Sequence, residues 1–180
     1  MLAALAGVPD LRHDEALKEL VALVEATTRT NWALDRETIS LKFASSSIPF
    51  LPPPVPLAEM FVWSPEFDGL HLRFGPVARG GIRWSDRRSD LRGEVLGLAR
   101  AQVKKNALIV PTGAKGAFVL HEDPADRAER SRRGRDAYRA FIGALLDVTD
   151  NIVDEKVAHP REVVCRDGDD AYLVLSLIHI

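Results

Sequence analysis

The segment 79–116, RGGIRWSDRRSDLRGEVLGLARAQVKKNALIVPTGAKG, limits more than any other stretch what this chain can fold into. It joins a Gly-Gly turn between arginines, an amphipathic helix, a short β-rich run and a Gly-Ala-Lys-Gly turn with almost no linker. Strand-like runs on both sides of a helix read as an α/β domain in which helices cover a mixed sheet. Arg79, Lys105 and Lys115 each stand beside glycine or at an element terminus, where backbone can approach a small ligand. That is the layout of an anion pocket.

Composition narrows the class. The chain has 180 residues, 46% of them hydrophobic, and a formal charge of −2. This is enough for one sizeable core, and it carries no global signature of a nucleic-acid or membrane partner. Cys165 is the single cysteine, so no internal disulfide can form. With no long apolar run and no cleavable leader pattern, a cytoplasmic setting is expected.

In chain order, Leu17, Leu20, Val21 and Val24 fall at helical spacing, which predicts an amphipathic helix from His13 to about Asn31. Alternation at Ile39, Leu41 and Phe43, and again at Leu70, Leu72 and Phe74, predicts half-buried strands. Between them the prolines at 52, 53, 54 and 56 mark an extended connector. The run SPEFDG supplies Pro65, Asp68 and Gly69 as turn residues of a hairpin. Arg83, Asp86, Arg87 and Arg88 have opposite charges close enough to pair and are given no catalytic role.

Ser89 or Asp90 is expected to cap a helix running to about Asn106, with Leu91, Val95, Leu98, Gln102 and Lys105 on one stripe. An amide and an ammonium then close an apolar face. Either a bound carboxylate satisfies both or they reach solvent by snorkelling, and Lys104 competes with Lys105 for the role. After a β-rich run 107–110 and a turn at 111–113 comes Lys115. Burial and the neighbouring cations Arg79 and Lys105 should lower its pKa. Gly80 and Gly81 allow positive φ and leave room beside the main chain, and Arg79 offers a planar fork suited to a carboxylate, although a tight turn with a surface arginine reads equally well.

Asp123 as N-cap and Pro124 at the first helical position open a long helix with Tyr138, Phe141, Ile142, Leu145 and Leu146 on its apolar face. Its arginines alternate with Asp126, Glu129 and Asp136, which cancels much of a nucleic-acid-binding field. His121 and His159 show no metal-ligand spacing, so no metal is expected.

The joined motifs ARGGIRWSDRRSDLRGEVLGLARAQVKKNALIVPTGAKGAFV closely resemble the substrate-domain core of the large bacterial NAD-specific glutamate dehydrogenases, over about residues 29–175, and glutamate dehydrogenases in general more distantly. The resemblance implies an amino-acid-dehydrogenase-like substrate domain. It implies that Lys115 is catalytic, acting on water, that Arg79 beside Gly80 and Gly81 holds the side-chain carboxylate of L-glutamate, and that Gln102 and Lys105 hold its α-carboxylate. The product would be 2-oxoglutarate, and the parent enzyme a homo-oligomer. NAD would sit on a domain absent from this chain, which has no G-x-G-x-x-G after a strand. The expected organisation is a helical segment 1–37, a substrate domain 38–174 and an extraneous tail 175–180, LSLIHI, that replaces the segment carrying a further catalytic aspartate. As given, the chain is expected to be truncated and inactive alone. The alternative is a non-catalytic carboxylate-binding or assembly module, and behind it a nucleic-acid adaptor using the 127–139 face.

Overall fold

The computed structural model describes residues 10–108, 111–171 and 173–176. Helix α1 (Leu11–Ala26) is followed by β1 (Thr27–Thr30), β2 (Ile39–Ala44), β3 (Ala58–Trp63), β4 (Phe67–Arg73) and β5 (Ala78–Trp84). Then come α2 (Leu91–Lys105), β6 (Thr112–Leu120) and α3 (Arg127–Asp147). The short strands β7 (Asn151–Val153), β8 (Lys156–Ala158), β9 (Val164–Cys165) and β10 (Val174–Ser176) complete the order. Eight strands form one mixed sheet in the order β10-β5-β6-β4-β3-β2-β1-β9, and β7 and β8 form a separate hairpin. The β10–β5 and β5–β6 pairs are parallel and the remaining pairs antiparallel. The α/β class with helices on a mixed sheet is therefore the observed one.

The two faces of the sheet hold separate cores. Alternation along β6 sends Phe118 and Leu120 towards α3, where they meet Phe67, Phe141 and Leu145. Ala117 and Val119 go the other way, against Leu91, Val95 and Leu96 of α2. Phe118 lies 6.3 Å from Phe67 and 6.4 Å from Phe141, ring centre to ring centre. Such pairs add about 0.5–1.5 kcal/mol beyond their buried area. Because both faces are covered, β4 is not half-buried as its alternation suggested: all of its residues but Asp68 are buried.

Several expected boundaries move. The first helix ends at Ala26, not near Asn31, because the β-branched run Thr27–Thr30 pairs with β2; Thr27 Oγ1 donates back to Leu23 O at 2.8 Å. On this helix Leu17, Leu20 and Val24 are exposed and only Val21 of the expected stripe is buried. The β3–β4 turn is tighter than SPEFDG suggested: Ser64 N donates to Phe67 O, and Asp68 and Gly69 already belong to β4. The proline stretch forms neither strand nor helix, as a connector should. Helix α3 starts three residues late, because Asp126 and not Asp123 caps it, accepting from Glu129 N at 2.8 Å. Its arginines pair with carboxylates: Arg132 with Glu129 and Asp136, Arg130 with Asp123.

The largest departure is a buried ion network that sequence reasoning missed. Arg29 of β1, fully buried, holds Asp150 through two bonds of 2.6 and 3.0 Å and Asp167 at 2.5 Å. Lys42 of β2 donates to Asp167 and Asp170 at 2.5 and 2.6 Å, and Arg73 of β4 also grips Asp170. Three cations and three carboxylates thus fasten the segment before β10 to the sheet. The network also overturns the expectation that His159 lacks ligand partners: Asp150, His159 and Cys165 come within 4.8 Å of one another. Both carboxylate oxygens of Asp150 already bind the Arg29 guanidinium, so this trio belongs to the network. Among the described residues, no helix is long and apolar enough to cross a membrane.

Candidate functional site

The site is built where β5, α2 and β6 meet. Instead of following a glycine turn, Lys115 sits within β6, which runs unbroken from Thr112 to Leu120. Its neighbour across β4 is the buried Leu72. Strand parity places Lys115 between Gly113 and Ala117, on the face that α2 covers. The lysine is half-buried and its pKa is lowered, first by burial and then by the Arg83 guanidinium. The direction is the expected one, but the cation responsible is Arg83, not Arg79 or Lys105.

Two glycines fix the geometry. A side chain at Gly113 would lie 2.6 Å from Val103 N and 2.9 Å from Ala99 O, so the C-terminal half of α2 rests on β6 at this point. At Gly80 a Cβ would lie 1.6 Å from Ala114 O, which leaves room for glycine alone beside β6. No described glycine has positive φ, so Gly80 serves close approach and not the left-handed backbone that the Gly-Gly pair suggested. Arg79 is exposed, lies opposite Gly113 on one side and pairs with Val174 of β10 on the other.

The stripe on α2 is rotated from the expected one. Leu91, Val95, Leu96 and Ala99 are buried, because small Ala99 is what the contact with Gly113 admits. Gln102 is half-buried, and Lys104 and Lys105 are both exposed. The helix end is tied down by Asn106: its N–H donates to Gln102 O at 3.0 Å, and its buried amide donates to Pro111 O at 3.3 Å and Thr112 O at 3.4 Å. Gln102 Nε2 in turn donates to Asn106 Oδ1 at 3.3 Å. Asn106 therefore sets where Gln102 and Lys105 stand relative to β6. Its one sequence signal is an asparagine directly after a Lys-Lys helix end. Of the expected β-run 107–110, Ala107 and Leu108 form a turn, and 109 and 110 lie outside the described residues.

Arg83 does not pair with Asp86 as expected. It binds Glu94 of α2 at 3.1 Å, while Arg88 reaches Asp68 at 3.6 Å. By contrast, Arg79, Lys104, Lys105 and Lys115 enter no ion pair among the described residues. A cation on the neighbouring strand that enters no ion pair among the described residues can receive a carboxylate, and a lysine of lowered pKa gives up its proton more readily than an ordinary one. A groove of about 870 Å³ lies elsewhere, lined by apolar side chains such as Leu20, Leu41, Phe43 and Phe61. It contains none of these cations, so the candidate site is placed at the junction of β5, β6 and the end of α2 instead. Of the expected tail 175–180, Leu175 and Ser176 continue β10 alongside Gly80 and Gly81, and 177–180 lie outside the described residues.

A mixed α/β sheet with a desolvated lysine on a central strand is the class of domain these features define. The chain belongs to the family described as bacterial NAD-glutamate dehydrogenase, catalytic domain, which matches residues 1–177. It is 50% identical over 182 residues to the NAD-specific glutamate dehydrogenase of Mycobacterium tuberculosis, covering 92% of this chain and 11% of that protein. The enzymes of the same name from Halomonas elongata and Pseudomonas aeruginosa are each 47% identical over 184 residues, covering 98% of this chain and 11% of theirs. The chain thus spans about a tenth of the length of these relatives.

Proposed function

We propose that this chain is the substrate-binding part of an NAD-dependent glutamate dehydrogenase, which converts L-glutamate, NAD and water to 2-oxoglutarate, ammonia and NADH. The observation that carries the reading is Lys115: half-buried, of lowered pKa, on the strand beside Arg79, and like Arg79 in no ion pair among the described residues. NAD, held by a part of the enzyme outside this chain, supplies the acceptor for the α-hydride. In this reading residues 38–174 are the substrate domain of a cytoplasmic homo-oligomer.

Arg79 binds the side-chain carboxylate with its planar fork. Gln102 and Lys105 bind the α-carboxylate from the end of α2, and Gly80 and Gly81 leave the approach open. With both ends of the substrate fixed, its α-carbon is oriented over Lys115. The neutral amine takes a proton from water as that water adds to the imino acid, and returns one as ammonia leaves. Burial and the Arg83 charge, which lower the lysine's pKa, favour the neutral amine that this step needs.

The test uses the full-length enzyme that contains this domain. Lys115→Ala should lower kcat at saturating glutamate by two or more decades, on the order of what a general acid/base contributes. Unchanged turnover would overturn its role. Arg79→Ala should raise KM for glutamate far more than for norvaline, which lacks the distal carboxylate. Equal losses on the two substrates would remove Arg79 from the carboxylate site.

A further inference from the structure

On the sheet face that Lys115 occupies, Arg83 is the charged group nearest in register that the proposed chemistry does not use. Ile82 and Arg83 of β5 lie opposite Gly116 and Ala117 of β6. Ile82 points into the α3-side core, so Arg83 points to the α2 side, the face of Lys115. Its pairing with Glu94 of α2 at 3.1 Å confirms the direction. Glu94 is nearly buried, with a side chain 7% exposed, against 52% for Arg83. The other oxygen of Glu94 accepts a 2.5 Å bond from Ser85 Oγ, which itself accepts from Arg87 N at 3.0 Å. The carboxylate is therefore fixed from two sides, and it holds a guanidinium that would otherwise swing in solvent.

We propose that Arg83, anchored by Glu94, is a positioning residue that sets the working charge state of Lys115. The proposal rests on the reading of Lys115 as the proton-exchanging group. The surroundings leave few other candidates. From β4, Lys115 faces the apolar Leu72 and Leu70, and Asp68 farther along the same face is taken up by Arg88 and His121. β5 contributes Arg79 and Arg83, and α2 contributes Glu94, Arg100, whose guanidinium donates to Pro53 O at 3.1 Å, and, at its far end, Lys104 and Lys105. The Arg92–Glu59 pair on this side is closed on itself by two bonds of 3.0 and 2.8 Å. Helix α3 lies on the opposite face. Of these groups Arg83 is the one whose charge lowers the lysine's pKa after burial has acted. The Arg83–Glu94 couple can then move Lys115 both ways, since removing the cation favours the ammonium and removing the anion disfavours it.

The experiment measures the pKa of Lys115 directly, by competitive acetylation with acetic anhydride across pH and peptide mass spectrometry, on the full-length enzyme without substrate. The pH dependence of kcat/KM is recorded on the same preparations. Arg83→Gln should raise the labelling pKa by on the order of one pH unit, the scale of a nearby partly screened charge. Arg83→Lys should restore it, and Glu94→Gln should lower it. The ascending limb of kcat/KM should follow each shift. An unmoved labelling pKa in Arg83→Gln, or a shift of the same sign in Arg83→Gln and Glu94→Gln, overturns the proposal. If labelling shifts as expected while the kcat/KM limb stays fixed, Arg83 does tune Lys115, and the assignment of Lys115 as the proton-exchanging group is what fails.

Discussion

His71 shows how one side chain can carry a pH dependence for the domain. It lies on β4 between Met60 of β3 and Gly116 of β6, is 2% exposed, and neither ring nitrogen has a hydrogen-bond partner among the described residues. Burial first, and the Arg73 charge second, lower its pKa from 6.5 to about 4. The ring is neutral in the fold, while in the unfolded chain it takes a proton near pH 6.5. Between these values the unfolded state binds more protons, so stability falls as the pH drops from about 6.5 through 4 and then levels off. The shift corresponds to about 3 kcal/mol. Urea midpoints measured from pH 7 to pH 4 should decline accordingly, and His71→Gln, which cannot be charged, should flatten that decline. A wild-type midpoint constant over the range would show that His71 finds a partner or water.

At the scale of elements, the packing of α2 on β6 decides whether the site exists. Gly113 touches α2 backbone, which cannot yield as a side-chain tip can, so Gly113→Ala should destabilise by about 1–3 kcal/mol, the usual cost of overpacking. Under the proposed function it should also weaken glutamate binding in the full-length enzyme, because Gln102 and Lys105 move with the helix. Gly97, exposed in the same helix with nothing within 4 Å of an added Cβ, makes the control: Gly97→Ala should stabilise by about 0.5–1 kcal/mol. Thermal midpoints moving in opposite directions would support this packing, and a neutral Gly113→Ala would contradict it.

These contacts also explain what the sequence could and could not disclose. Helix α2, strands β2 and β4 and the lowered pKa of Lys115 are legible because periodicity and glycine spacing are local signals. The rotation of the α2 stripe onto Ala99 is not legible, since it depends on a glycine fourteen residues later in the chain. Lys115 likewise looked like a turn residue because Gly113 and Gly116 flank it, whereas both glycines serve close packing within a strand. Arg83 was read as pairing with its neighbours, and only the fold brings Glu94 to it.

The molecule as a whole is closed by the ion network, whose members come from both ends of the chain. Burial alone would raise the carboxyl groups of Asp150, Asp167 and Asp170. The bonds from Arg29, Lys42 and Arg73 outweigh it and hold all three below the usual carboxylate range. Depressed carboxylates contribute stability that is present above their unfolded pKa of about 3.9 and is lost as the pH falls below it. Acid unfolding should therefore have two parts, the His71 loss down to about pH 4 and the network loss beneath it. Because Asp170 stands four residues before β10, and β10 lies against Arg79, Gly80 and Gly81, loosening the network should reach the candidate site. Asp170→Asn keeps the shape but leaves Lys42 and Arg73 undercompensated in a buried setting, where breaking an ion pair costs about 3–5 kcal/mol. The expected outcome at pH 7 is faster amide hydrogen exchange in 79–81 and 174–176 than in β3 or β4, together with, under the proposed function, a raised KM for glutamate in the full-length enzyme. Uniform acceleration across the whole sheet would instead mean that the network supports global stability alone and that β10 is not held through Asp170.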